Sequence, residues 1–563
     1  MHLPCPSFAP LFSLCFFQFY CYHLPNKSTL NKAWFMKKYI FFLFSFSLFI
    51  SLFYIQKKRD TSAVTTQTLK VNISYSPYSL DPRTSTDPVT ATLHLMLFEG
   101  LTRLNQDGTT TLCLAKSYAL SKDKMTYTFH LKKSCFSDGS PLTAYDFERS
   151  WKEAVSPDFI GRASELFFCI KNAKAIKLGD KEKELGVVAK DEYTLQVTLN
   201  HPAPYFLNLL SYPTFFPIHR TFSSQESKGN PLISNGPFQL KNKINNNKIC
   251  LKKNPFFHHQ KRVQLTHIEL DVVSDATTSF YLFQKEQNHW FGGFLEALPV
   301  DSIQEILTNY TLIEKPTTGF CFCSVNVTNP ILSNLNIRKA LYQAMNPPSL
   351  IQDFPILAHE TAMGPTPTQF WKTHNMKPLT IEINEDPLTL FNRGIDELGI
   401  DKKEFPSLNL IYFPCDAYKR IAQIFQQRLK SLLNIDLKLV VTPASEHYHK
   451  LSSQDYDLSI SAWISQFNDP LNYLQRLNGT SNKNHPGWIN TSFTKLLDKS
   501  LWADNQTARI HLLHAAESLI AEQIPLIPLY HFNLTYLQHH ALKGVHISPL
   551  GLTDFRYAYF EKI

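Results

Sequence analysis

No G-x-S-x-G elbow, no H-E-x-x-H helix and no G-x-x-x-x-G-K-[ST] loop occurs anywhere in the 563 residues. The chain therefore lacks the recognisable machinery of a serine hydrolase, a zinc protease or an intrinsic ATPase. It has no Cys-x-x-Cys pair either, and a structural zinc site needs such ligands at fixed spacing. Acidic residues are missing from residues 1–59, which hold seven of the 56 basic residues. The rest of the chain carries 49 basic against 47 acidic residues, so the formal charge of +9 shrinks to +2. Nothing in that body calls for nucleic acid.

Long apolar runs are confined to the amino-terminal end. From Met36, MKKYIFFLFSFSLFISLFYIQKKR sets two lysines before seventeen mostly apolar residues, Tyr39 to Ile55, and a second basic cluster after them. This is the pattern of an export signal, and a helix of that length reaches ~25 Å, enough for an uncleaved membrane anchor. No small-x-small cleavage site stands out. A second apolar run, Phe8 to Tyr22, lies in residues 1–35, and translation is expected to begin at Met36 instead. Of the ten cysteines, seven follow residue 60, an odd number that leaves at least one thiol unpaired. Cys321 and Cys323 lie two apart in a strand-like run, pointing the same way, and read as buried small hydrophobes. The pairs His258-His259 and His539-His540, and His511 with His514, lack further nearby ligands and read as surface histidines.

At 64.8 kDa the chain is too long for one core, so two or three lobes are expected. Apolar residues make up 44% and charged residues 18%, a globular composition with 43 Phe and 24 Tyr to line clefts. Strands are expected at Thr68 to Ser74, Tyr127 to Leu131, Asp191 to Leu199, Leu408 to Phe413 and Ile435 to Val441. Helices are expected at Val89 to Phe98, after Thr143, and at Ile331 to Met345, Tyr418 to Leu433 and Ala508 to Glu522. Thr143 with Asp146 three residues later has the form of a capping box.

The stretch Asp455 to Leu474, DYDLSISAWISQFNDPLNYL, reads as a buried strand entering a loop. Leu458, Ile460, Ala462 and Ile464 share one face, and Ser459, Ser461 and Trp463 the other. A tryptophan on a serine face, followed by Gln466, Phe467, Asn468 and Asp469, suits a cleft wall with stacking surface and hydrogen-bond partners. Periodicity alone does not separate this from a core tryptophan under a loop.

The block Ala115 to Pro157 resembles the most recognisable stretch of the extracytoplasmic oligopeptide and dipeptide binding proteins of ABC importers. Ile233 to Phe257, Asn336 to Asn346 (NIRKALYQAMN), Ala462 to Pro470 (AWISQFNDP) and Ile524 to Leu537 (IPLIPLYHFNLTYL) resemble further blocks in the family's order. The resemblance implies an α/β, bilobed periplasmic-binding-protein-like fold whose two lobes close on a peptide, with an extra inserted domain. Lobe I would combine 62–97, 218–312 and 546–563, the inserted domain would be 98–217, and lobe II 313–545. It further implies a monomeric receptor without cofactor and without catalysis, exported to the periplasm or the outer face of the cytoplasmic membrane. The permease and ATPase would be other chains, and the N-terminal segment, if uncleaved, would hold the membrane. Family members often carry a lipid-bearing cysteine after the apolar run; none lies between Tyr22 and Cys113.

The resemblance also assigns the site. Ala462, Trp463 and Ile464 match the strand that binds ligand backbone, with Trp463 stacking on the ligand. Three residues after the tryptophan, where oligopeptide binders place an aspartate for the peptide's α-ammonium, stands Gln466. Asp469 matches an acidic position before Pro470 and either replaces that charge or caps the following helix. Other readings are a carrier of modified peptide, nickel or haem, a surface interaction protein that lost transport, and, last, an enzyme.

Overall fold

Strand β1 (Thr68–Ile73) turns Leu69, Val71 and Ile73 into an apolar cluster shared with helix α1 (Pro88–Leu97). Asp87 caps α1, its carboxylate accepting the Thr90 N–H at 2.9 Å, and Pro88 supplies the first helical φ. That pair starts the helix one residue earlier than its apolar spacing indicates. The computed structural model describes residues 67–561 except 78, 162, 223–231, 245–246, 354–359 and 480. The expected start at Met36 and the apolar segment Tyr39 to Ile55 lie outside these residues. No helix among the described residues is long and apolar enough to cross a membrane.

After α1 the chain builds an antiparallel sheet from β2 (Ala115–Leu120), β3 (Thr126–Leu131), β4 (Val187–Asp191) and β5 (Thr194–Thr198), in the order β2-β3-β5-β4. Helix α2 (Ala144–Ala154) buries Phe147, Trp151 and Ala154. Its expected capping box is present: the Asp146 carboxylate accepts from the Thr143 N–H at 2.9 Å and from the Thr143 hydroxyl at 3.0 Å. The run Asp191 to Leu199, expected as one strand, is the end of one strand and most of the next. The Asp191 carboxylate accepts the Tyr193 N–H at 2.8 Å and closes the turn that splits it.

The chain then returns through β6 (Phe238–Ile244), β7 (Lys248–Lys253) and β8 (His267–Val272). β8 pairs in parallel with β1 over its whole length, Thr68 opposite His267 and Ile73 opposite Val272, giving the order β1-β8-β7-β6.

A third sheet of seven strands completes the fold. Its order is β9 (Trp290–Gly292), β14 (Leu526–Gln538), β10 (Ile313–Val325), β13 (Leu458–Ile464), β11 (Leu408–Tyr412), β12 (Leu437–Val441), with the short strand Glu360–Thr361 added on β14. β10 and β14 are thirteen residues each, and their pairing slips between Pro316 and Phe320. Helices α3 (Leu335–Met345) and α4 (Asp416–Leu433) cover one face. α3 begins four residues later than expected, because Asn334 caps it through the Ile337 N–H at 3.1 Å. Cys321, Cys323, Leu458 and Ile460 enter the core beneath α3 and α4, and burial pushes both thiols up to about 12. Phe320 and Phe322 point the other way, into a core continued by Trp488, Phe493 and Leu513 and by Phe129 and Trp151 from the β2–β5 region.

Candidate ligand-binding site

Strand β13 is paired along its whole length on one side only. β10 pairs with it from Leu458 to Ile464, but β11 reaches only Leu458 and Ser459. From Ser461 to Ile464 the second edge has no strand beside it among the described residues. Such an edge offers backbone N–H and C=O groups to an extended chain. Ala462 is exposed there, and Trp463 and Ile464 are half-buried.

The alternation expected for β13 holds, but the tryptophan's company differs from a serine face. In register with β10, Phe320 lies opposite Trp463 and Phe322 opposite Ser461. Those two phenyl rings stack at 5.1 Å, so Trp463 packs against aromatic surface supplied by the neighbouring strand. Its indole N–H donates to Asn472 Oδ1 at 2.8 Å. The Asn472 amide donates in turn to Gln466 Oε1 at 3.4 Å. This chain orients the ring and occupies the carbonyl of Gln466, leaving its N–H donors for whatever lies beyond. On the ring itself sits Arg476, the guanidinium carbon 3.6 Å from the ring centroid, with Lys483 Nζ at 5.5 Å. Phe322, Ser461, Trp463, Arg476, Lys483 and His485 are among the walls of a cavity of about 30 Å³.

Asp469 faces elsewhere. It is 6% exposed, and both of its oxygens bind the Arg509 guanidinium, at 2.7 and 2.8 Å, from helix α6 (Gln506–Gln523). One of those oxygens also accepts the Leu471 N–H at 3.0 Å, opening the short helix α5 (Leu471–Leu474). Of the two roles open to Asp469, the local capping contact is present, and a swing toward a ligand would uncover a buried arginine. The loop carrying it docks on the β2–β5 region: Phe467 stacks on Tyr205 at 4.7 Å, and the Asn468 N–H donates to Asn208 Oδ1 at 3.0 Å. Structure thus groups Ala462, Trp463, Ile464 and Gln466 along one edge and turns Asp469 into the support beneath them.

No group of three His, Cys, Asp or Glu side chains among the described residues is arranged to hold a metal ion. Two of the paired histidines have other partners: His258 Nε2 lies 2.5 Å from the buried carboxylate of Glu99, and His514 Nε2 2.8 Å from the Lys377 carbonyl.

Known proteins share this fold. The family described as bacterial extracellular solute-binding proteins, family 5 (middle region), matches residues 109–485. The oligopeptide-binding protein OppA of Bacillus subtilis is 32% identical over 90% of this chain and 94% of its own. The chain belongs to the family 5 bacterial extracellular solute-binding proteins. Among solved structures, OppA of Listeria monocytogenes bound to peptide superimposes with a TM-score of 0.73 at 25% identity, over 89% of this chain and 100% of that one. The murein tripeptide binding protein MppA of Escherichia coli gives 0.77 at 23%, over 89% and 99%. The fold is accordingly the bilobed α/β fold of family 5 solute-binding proteins, with the extra inserted domain.

Set on that fold, the family 5 member surrounds Trp463 with residues that the sequence reading did not single out. Arg476 and Lys483 lie over its ring, Asn472 from α5 accepts its indole N–H, and His485 lines the same cavity. No periodicity marks them, since what joins them is the path of a loop rather than a spacing. Phe320 and Phe322 alternate recognisably in β10, but only the β10–β13 register places them beside Trp463.

Proposed function

We propose that this solute-binding protein is an exported receptor that captures peptides between two lobes and delivers them to an ABC-type importer whose permease and ATPase are separate chains. The observation that carries the reading is the edge of β13 from Ser461 to Ile464, which has no neighbouring strand among the described residues and carries Trp463, with the Gln466 amide just beyond it. A peptide laid along it as an additional strand satisfies its backbone whatever its sequence. The relatives' names point the same way: OppA of Bacillus subtilis is an oligopeptide-binding protein, and OppA of Listeria monocytogenes was solved with peptide. In this reading Ala462, Trp463, Ile464 and Gln466 meet the ligand and Asp469 holds their loop.

Lobe I comprises residues near 62–97, 218–312 and 546–563, the inserted domain 98–217, and lobe II 313–545. Strands β10 and β14 connect the lobes, and the register slip near Pro316 is the natural point of bending. The receptor acts as a monomer on the outer side of the cytoplasmic membrane, performs no chemistry on its ligand and needs no cofactor. Native mass spectrometry of the purified full-length chain tests the ligand class: retained peptides are expected. Solution scattering tests the motion, because lobes that close on a ligand lower the radius of gyration. An unchanged radius at saturation, with no peptide retained, would overturn the reading.

A further inference from the structure

Arg476 is a cation without an anion. Its guanidinium face is stacked on Trp463 at 3.6 Å, which leaves the in-plane N–H donors directed along the ring rather than into it. Among the described residues no carboxylate lies within ion-pair distance of it. The one carboxylate whose charge acts on it, Glu165, is already engaged by Lys483 at 2.6 Å and by the Asn482 amide at 3.1 Å. Burial, the larger effect, lowers the Arg476 pKa to about 10, so the group stays charged at neutral pH. The half-buried guanidinium has no protein acceptor among the described residues and is left to solvent, and a planar bidentate acceptor such as a carboxylate matches its donors best.

The rest of the cavity has the same bias. Among the described residues no aspartate or glutamate lines it, while Lys483 and His485 do. His485 Nδ1 is buried with no hydrogen-bond partner among the described residues, and burial followed by the charge of Arg476 holds the ring neutral, its pKa down to about 4. Apolar Phe320 and Phe322 form the floor. The volume, about 30 Å³, takes roughly two water-sized groups, the room that two carboxylate oxygens need. Along an added strand, side chains project alternately to the two faces of the sheet. A ligand residue beside Ser461 to Trp463 therefore sends its side chain either toward α3 and α4 or toward this cavity.

We propose that Arg476, stacked on Trp463, forms a subsite for a carboxylate of the bound peptide, making the receptor selective for ligands with an acidic side chain next to the β13 edge. The proposal rests on the peptide-receptor reading and narrows it. A terminal carboxylate offers the same chemistry, and the test separates the two.

The test is calorimetric titration of the full-length chain with peptides of three to five residues, matched in pairs that differ only by glutamate against glutamine, each with a free or amidated C-terminus. At least one glutamate peptide binds more than about tenfold tighter than its glutamine twin, whether or not the C-terminus is amidated. Arg476→Gln abolishes that preference, so that each glutamate peptide binds no tighter than its glutamine twin. Arg476→Lys restores part of it, which a merely structural role for the stacked guanidinium would not do. If amidation alone removes the preference, the carboxylate at Arg476 is the C-terminus and the side-chain assignment is overturned. Equal binding of both twins at every position, or a glutamate preference that survives Arg476→Gln, overturns the subsite while the peptide-receptor reading stands. Absence of binding by every peptide, neutral ones included, overturns the receptor reading itself and the subsite with it.

Discussion

Arg509 and Asp469 face each other through two parallel contacts of 2.7 and 2.8 Å, both side chains nearly sealed from solvent. The pair ties α6 to the turn that follows β13, and Arg509 extends 5.6 Å from the ring of Tyr205 on the other side. A buried pair of this kind is sensitive to loss of one member, because the survivor is left charged and unmatched.

Asp469→Ala is therefore expected to destabilise the protein by about 3–5 kcal/mol. Thermal melting checks it: a clear fall in Tm marks the structural role. If Tm holds and peptide affinity alone collapses, Asp469 is a ligand anchor instead.

Trp463→Ala is expected to weaken peptide binding about tenfold or more, since stacked and partly desolvated rings commonly contribute that much. The ring is half-buried, so its removal leaves Tm within a few degrees of the parent. Unchanged affinity with a collapsed Tm would assign Trp463 to the core.

In the proposed reading Gln466 would meet the peptide's amino terminus, yet its carbonyl accepts from Asn472. A carboxylate there would contribute about 1.5–3 kcal/mol to binding an ammonium. The native protein should discriminate little between free and N-acetylated forms of one peptide, and Gln466→Asp should favour the free form. Paired titrations check this. A native preference for the free amine above about a hundredfold, abolished by Asp469→Asn, would show Asp469 to be the anchor.

Stability should peak near pH 6.5. Burial raises the Glu517 pKa to about 8, so the folded state holds a proton that the unfolded chain releases near 4.5. Stability from this group is full below 4.5 and is lost as pH rises to about 8; burial raises Glu296 to about 7 and gives the same sign. Buried His94, His447 and His531 and half-buried His289 and His485, each lowered to about 4 by desolvation first, act oppositely, adding stability as pH rises from 4 to 6.5. Above 6.5 the glutamates remain, and Glu517 alone contributes a decline of at most about 1.4 kcal/mol per pH unit. Glu517→Gln should flatten the fall in Tm between pH 7 and 8; an equal fall in the variant would refute the assignment.

Local signals were readable where neighbours in sequence are neighbours in space. The capping box at Thr143 and Asp146, the alternation of β13 and the burial of Cys321 and Cys323 all follow from spacing within one element. Asp191 to Leu199 was misjudged because a two-residue turn can sit inside an alternating run without a glycine to mark it. The partner of Asp469 lies forty residues on, in α6, and no pattern near either residue links them. Arg476 was equally silent, since an arginine in a short helical turn looks like any solvated charge until the loop is folded over Trp463.

An edge that accepts one extended chain does not ask where that chain comes from. The backbone groups of Ser461 to Ile464 would pair as readily with a strand of a neighbouring molecule as with a peptide, so the edge proposed for capture would also be a point of unwanted association. Its shortness and the cations beside Trp463 act as gatekeepers, since two copies meeting there would bring like charges together. Ligand, by covering the edge, should protect the protein against aggregation during storage and concentration, independently of any gain in melting temperature.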